Sequence, residues 1–504
     1  MSSEPKRAPI LRAATVLGAA SITGLALSLI RIKVAAVIVG PAGVGLIGLM
    51  TTLVAAASVV ASLGFGSAGT RQIAEAVGKN DPSAVAAARS ALWWGSLVLA
   101  VLGGLVFWSL REVLAKHVLG SSSYATEAGI LAFAVTLTVV STAQTAVLTG
   151  LRDISAIARL TILSSLSATV IAVFAMRQWG TDGAAAFVIA IPLSSCLWGY
   201  VYVRRTRQVG NIRVPLSDLM TQLRPLTALG TAFMLAALAG SAGQLAMRSL
   251  IQSELGLDAI GHFHAVALVS TTYITFVTAA MGSDLYPRLA GAISDAPQAN
   301  RMVNEQTEMS LLLAGPVLLL TIGGAPWILE YLYSRAFSPA ADLLRLQVVA
   351  DVLKLASWPL GFLILAAGDG RKFMFSETFG MLILIATTWA CLPFFGLLGA
   401  GIAYCVMYGL YLPLLFWLAR KRTGFRWNRS VVKIGCALLL ACVTVCWVGF
   451  QNATYGAWAG LIAAGAFGTA AFSRFRDIGL PSWLGGRPVT AQTADSKART
   501  GELK

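Results

Sequence analysis

The chain has 504 residues, 57% of them hydrophobic and only 12% charged, with a mean hydropathy of +0.75. Runs of about 20 apolar residues, the length that crosses a bilayer, recur along it; this excludes a soluble globular domain and predicts an all-α polytopic membrane protein. Lysine and arginine outnumber aspartate and glutamate 38 to 22, and with so little water-facing chain the excess belongs in loops, tails and cavities, where it suits an anionic ligand and membrane lipids rather than nucleic acid.

Lys6, Arg7 and Arg12 precede the first apolar run, which outlasts a signal-peptide core and contains Arg31 and Lys33, so it reads as a retained span. Spans are expected at 13–37, 42–64, 86–109, 126–149, 157–177 and 182–203, then at 226–252, 260–285, 309–333, 343–367, 373–395 and 398–419, with two more at 431–450 and 455–473. The chain therefore divides into an N-terminus (1–12), an N-lobe (13–203), a basic linker (204–225), a C-lobe (226–420), a basic loop with the last two spans (421–473), and a polar tail (474–504) whose composition predicts disorder. Arg204, Arg205, Arg207 and Arg213 with the amphipathic VPLSDLMTQLRPL suggest that the linker lies on an anionic leaflet. The basic loops alternate with nearly uncharged ones, which places the N-terminus, linker and tail on the cytoplasmic side.

Self-similarity is the strongest large-scale feature. On a shift of 216, Gly40 falls on Gly256, Gly45 on Gly261, Gly66 on Gly282, Gly180 on Gly396 and Gly183 on Gly399. Spans one to six and seven to twelve then form two copies of even span number, a parallel repeat about an axis along the membrane normal. Arg31 lands one residue from Arg248 on the same shift.

Three stretches resemble a known family. GPAGVGLIGLM after span one, ALVSTTYITFVTAAMGSDLYPRLA across span eight, and above all LQVVADVLKLASWPLGFLILAAGDGRKFMFSE across spans ten and eleven are similar to the O-antigen and lipid III (enterobacterial common antigen) translocases. These are polysaccharide flippases of the multidrug/oligosaccharidyl-lipid/polysaccharide exporter superfamily, and the likeness covers about residues 10–420. It implies two six-helix lobes around a central cavity that opens alternately to each side. It also implies transport of an undecaprenyl-diphosphate-linked oligosaccharide across the bacterial inner membrane, by a monomeric carrier working beside a polysaccharide polymerase and a chain-length regulator. Spans thirteen and fourteen depart from the usual twelve.

Such a substrate needs cations and polar groups in a wet cavity. Arg31 lies about 9 Å below the outer end of span one at the helical rise, Arg248 has similar depth in span seven, and Asp351 and Lys354 share a face of span ten at a spacing of three. Arg31, Arg248 and Lys354 are expected to converge on the diphosphate, with Asp351 tempering them; snorkelling and a structural ion pair are the respective alternatives. Lys33, about 200° round the helix from Arg31, is expected to face the headgroups. Asp284 and Arg288, four apart, are candidates for a gate or a structural pair at the cytoplasmic mouth, and Glu377 for a gate or a protonatable coupling site, although the helix dipole alone accounts for an acid there. Gln144 and Gln244 are candidate sugar contacts, with interhelical hydrogen bonding as the alternative. His262 and His264 read as interfacial. Neither the three histidines nor the six cysteines have metal-ligand spacing, and no nucleotide-binding or hydrolase motif is present, so no cofactor is expected. The rivals are cation-coupled multidrug efflux within the same superfamily and a membrane glycan polymerase or ligase, which would need a large outer loop.

Overall fold

The structure, a computed structural model, describes residues 7–206 and 215–478, without the side chains of 7–15, 216–218, 276–284, 287, 475, 477 and 478. Among the described residues all regular structure is helical: α1 (Arg7–Ala61), α2 (Phe65–Gly78), α3 (Pro82–Ser109), α4 (Arg111–His117), α5 (Ala125–Gly150), α6 (Ile154–Trp179), α7 (Ala184–Arg205), α8 (Leu216–Ala292), α9 (Ala296–Gly323), α10 (Ala325–Leu332), α11 (Ala341–Ala366), α12 (Gly370–Phe395), α13 (Leu398–Thr423), α14 (Arg429–Gln451) and α15 (Ala453–Ile478), with short 3-10 turns between some of them. Among the described residues, eleven stretches are long and apolar enough to cross a membrane. Val16–Ala61 divides at Gly40, Leu219–Thr275 divides at Gly256, and Ile154–Arg205 holds both α6 and α7, which agrees with about fourteen spans in a multi-pass membrane protein.

Two compact units divide the chain. The first comprises Met1–Ala265 with Glu330–Phe337 and Leu384–Leu397; the second comprises Val266–Leu329, Ser338–Ile383 and Leu398–Lys504. From Leu216 the linker is already helical as the start of α8, and within it Gln222 receives the side chain of Gln72 from α2. Its residues 207–214 lie outside the described residues, as do residues 1–6 and the tail beyond 478.

The first unit carries the repeat in its backbone. Gly40 interrupts α1 at φ 65°, ψ −168° and Gly256 interrupts α8 at φ 82°, ψ −176°, a region that essentially only glycine occupies. Pro41 follows the first kink and Leu257 the second, so it is glycine rather than proline that sets the turn. Beyond the kinks the two hairpins meet reciprocally. A Cβ on Gly45 would come 2.2 Å from the Leu257 carbonyl oxygen, and one on Gly261 would come 1.9 Å from that of Pro41. Both pairs of positions are 216 apart, so the contact is that of a local pseudo-twofold axis, each hairpin presenting the same surface to the other. The second pair of matched turns agrees too, with Gly180 at φ 52° and Gly396 at φ 55°.

Small residues let the remaining helices approach closely, as expected without a hydrophobic drive between spans. In the first unit α2 buries Phe65 and Ile73 against Leu92, Val147 and Leu226. In the second, Gly323 of α9 packs on Gly460 of α15, and Gly449 of α14 packs on Gly456. A polar ladder fixes the basic end of the last pair: Asn300 and Asn304 donate to the carbonyls of Thr423 and Arg426 at 2.9 and 3.1 Å, and Glu308 accepts from Ser430 and Arg474 at 2.9 and 3.0 Å. Spans thirteen and fourteen are thus packed parts of the second unit.

Candidate functional site

Arg31 stands nine residues before the Gly40 kink and Arg248 eight before the Gly256 kink (40 − 31 and 256 − 248), about 14 and 12 Å along the helix axis. The repeat therefore brings the two arginines to matching depth in the first unit. Arg31 is only 8% exposed. Its guanidinium carbon lies 5.5 Å from the Phe187 ring centroid, its Nη2 reaches Ser28 Oγ at 3.4 Å, and its Nε is buried without a partner. Arg248 is half-buried; its guanidinium lies 5.3 Å from the Phe263 ring, and its Nη1 donates to His264 Nδ1 at 2.9 Å.

Magnitudes indicate what these contacts leave undone. Placing an arginine within a span costs about 2.5–3.5 kcal/mol on insertion scales, whereas one cation–π contact returns about 0.5–2 kcal/mol. Among the described residues no carboxylate pairs with Arg31.

Lys33 does face away from this site. It is exposed, donates to the Tyr331 carbonyl and lies 4.7 Å from the Tyr331 ring. His262 Nε2 donates to the Ala336 carbonyl at 2.9 Å and Tyr333 to that of Ala265 at 3.2 Å, so Glu330–Phe337 is strapped onto the hairpins of its own unit. His264, which sequence position alone assigned to the membrane interface, instead packs on Gly48 and holds Arg248.

In the second unit Asp351 and Lys354 make no direct ion pair, and the hydrogen bonds of Asp351 come from other residues. Asp351 is fully buried, accepting from Ser270 Oγ at 2.6 Å and from the Tyr273 hydroxyl, with Gln347 Nε2 at 3.5 Å from its other oxygen. Lys354 lies instead 6.0 Å from the Trp358 ring and 5.9 Å from the Tyr408 ring. Tyr408 meets Tyr411 edge to face at 6.1 Å, and Tyr411 donates to Glu377. Lys354 and Glu377 are thereby joined by an aromatic row. Tyr404, Tyr408 and Tyr411, spaced four and three along α13 and so on one face, were the available signal for it.

Gln144 is 1% exposed between α5 and α7, with its Nε2 3.9 Å from Cys196 Sγ and its Oε1 where a Cβ on Gly199 would come within 2.1 Å; this is an interhelical position. Gln244 is half-buried one turn before Arg248. The side chain of Asp284 lies outside the described residues, and Arg288 is exposed. Sequence reasoning missed Arg345, 3% exposed on α11, which donates to Asp342 and lies against Gly449 of α14.

Comparison with known proteins agrees with this architecture. The chain is 26% identical over 410 residues to the lipid III flippases of Escherichia coli (strain K12) and Shigella flexneri, a match that spans 77% of this chain and 94% of each relative. Its fold is similar to that of the lipid II flippase MurJ in an inward closed conformation, with TM-score 0.68 and 11% identity over 92% of this chain and 99% of that one. It is also similar to an inward-facing multidrug resistance MATE family transporter of the MOP superfamily, with TM-score 0.67 and 17% identity over 82% of this chain and 95% of that one. A family model described as "Polysaccharide biosynthesis protein" matches residues 34–342, more than half of the chain, which therefore belongs to that family.

Proposed function

We propose that the chain is a flippase that moves an undecaprenyl-diphosphate-linked oligosaccharide from the cytoplasmic to the periplasmic leaflet of the bacterial inner membrane by alternating access, without chemical conversion of the substrate. The observation that carries this reading is the pair of intramembrane arginines at matching depth, each set over an aromatic ring. A guanidinium fork suits a diphosphate through bidentate hydrogen bonding, and the lipid III flippases similar over most of the chain support the substrate class. Arg31 and Arg248 take the diphosphate. In the second unit Lys354, between Trp358 and Tyr408, offers a charge flanked by flat apolar faces, which suits a sugar ring, and Gln244 is placed to share the environment of Arg248. Asp351 holds its face of α11 through Ser270 and Tyr273, and Glu377 with its Tyr411 partner is a site at which a proton could be exchanged. Asp284 and Arg288 belong to the gate. Both termini are cytoplasmic by the distribution of basic loops, and the carrier acts as a monomer that hands its cargo to a polymerase and chain-length regulator.

The test removes both arginines and follows lipid-linked glycan into the periplasmic leaflet. The Arg31→Ala/Arg248→Ala double variant should lower export about 100-fold, the sum of two lost charge-assisted contacts; undiminished export by a normally expressed variant would refute the assignment. Cation-coupled drug efflux draws support from the MATE-like fold, but a cationic site disfavours the cations that such carriers export. A polymerase or ligase would need an outer catalytic domain, and the described connections between spans are short.

A further inference from the structure

We infer that His264 is a positioning residue that fixes the plane of the Arg248 guanidinium for recognition of a diphosphate. This rests on the flippase reading above and deepens it. The imidazole sits on Gly48, where an added Cβ would come 2.7 Å from its Cγ, and its Nδ1 lies 2.9 Å from Arg248 Nη1. A guanidinium has donors only, so Nδ1 is the acceptor and the ring is the neutral tautomer carrying its proton on Nε2. Phe263 lies under the guanidinium at 5.3 Å. One contact at the edge and one at the face together constrain a planar group in orientation.

The asymmetry with Arg31 identifies this as a device of one site. Arg31 has its ring, Phe187, but its edge contact is the long 3.4 Å bond to Ser28 on its own helix. His264 comes from the helix beyond the Gly256 kink and leans on α1 beyond the Gly40 kink, so the orientation of Arg248 is tied to the packing of the two hairpins. A monophosphate can be met by a point charge, whereas two parallel bonds across a diphosphate need a fixed fork. Loss of His264 should therefore act on discrimination between the two lipids more than on binding as such.

Full-length protein in lipid nanodiscs is titrated with undecaprenyl diphosphate and, separately, with undecaprenyl monophosphate. His264→Leu should weaken the diphosphate about ten-fold, as for one hydrogen bond to a charged group, and change the monophosphate by less than about two-fold. His264→Asn, whose Oδ1 falls near the position of Nδ1, should restore the preference. In an Arg248→Ala background His264→Leu should have no further effect, because the cycle removes the group through which it acts. If His264→Leu does not fold, His264→Phe keeps the ring without the acceptor and makes the same comparison. Equal loss for both lipids, failure of rescue by asparagine in a folded variant, or an undiminished effect without Arg248 would overturn this assignment alone. Absence of diphosphate binding by the unaltered protein would overturn the flippase reading and this assignment with it.

Discussion

The two kinked hairpins of the first unit share a backbone and differ in chemistry. Gly40 and Gly256 adopt the same glycine-only conformation, and Gly45 and Gly261 each accept the other hairpin's carbonyl where a side chain would stand. The arginines that follow the same shift are nevertheless held differently: Arg31 by Phe187 and a weak bond within its helix, Arg248 by Phe263 and His264. The comparison separates two requirements on the sequence. The turn and the close approach are backbone properties that both copies must keep, whereas the side chains around the two arginines are free to diverge.

The largest expected effect breaks the shared part. Gly45→Val and Gly261→Val drive a branched side chain into a backbone carbonyl, which cannot rotate away; each should destabilise the protein by about 3 kcal/mol or more, at the upper end of overpacking costs. Thermal unfolding of purified protein in detergent checks this, and because the contact is reciprocal the two losses should be similar. A silent variant at one site would show that the hairpins do not meet as a symmetric pair. Next come Gly40→Ala and Gly256→Ala. Nothing lies within 4 Å of a Cβ at either position, so the cost is conformational alone, about 1–3 kcal/mol for a residue forced into that region. The same unfolding measurement should give equal shifts.

Smaller effects sharpen the difference between the copies. Phe187→Leu and Phe263→Leu each remove one cation–π face, worth about 0.5–2 kcal/mol. Phe187→Leu should weaken binding of undecaprenyl diphosphate more, several-fold against about two-fold, because Arg248 keeps His264 while Arg31 keeps only the 3.4 Å contact to Ser28. The reverse order in a lipid-binding titration would mean that His264 does not hold its arginine.

How much of this was legible follows from where each partner lies in the chain. The spans, both kinks and the near-registration of Arg31 with Arg248 come from spacing along one segment, which hydropathy and glycine positions report directly. His264 was misplaced because its partner is on the other side of the Gly256 kink and its packing surface, Gly48, is on another helix. Asp351 was read with Lys354, three residues away, whereas its donors Ser270 and Tyr273 come from α8; spacing within one helix is blind to such pairs. Glu308 and the two asparagines of α9 are spaced by four and were readable as a polar stripe. They went unread because the span was expected to begin at 309, and α9 begins at Ala296.

The smallest effect tests the symmetry from the opposite direction. Pro41 opens the helix after the first kink, where its fixed φ suits the first helical position and its missing N–H costs no intrahelical bond. Leu257 occupies the same position in the second copy, and the backbone takes the same path, with Gly256 at φ 82° against 65° for Gly40. Proline's contribution there is therefore a restriction of the unfolded chain, about 0.4–1 kcal/mol. Pro41→Leu should cost that much and Leu257→Pro should gain it, each shifting the thermal midpoint slightly and in opposite directions. The carbonyl that Leu257 presents to Gly45 is untouched by the exchange, so a clear loss of stability in Leu257→Pro would locate a bond from the Leu257 N–H that the first hairpin lacks, and the equivalence of the two turns would end at that residue.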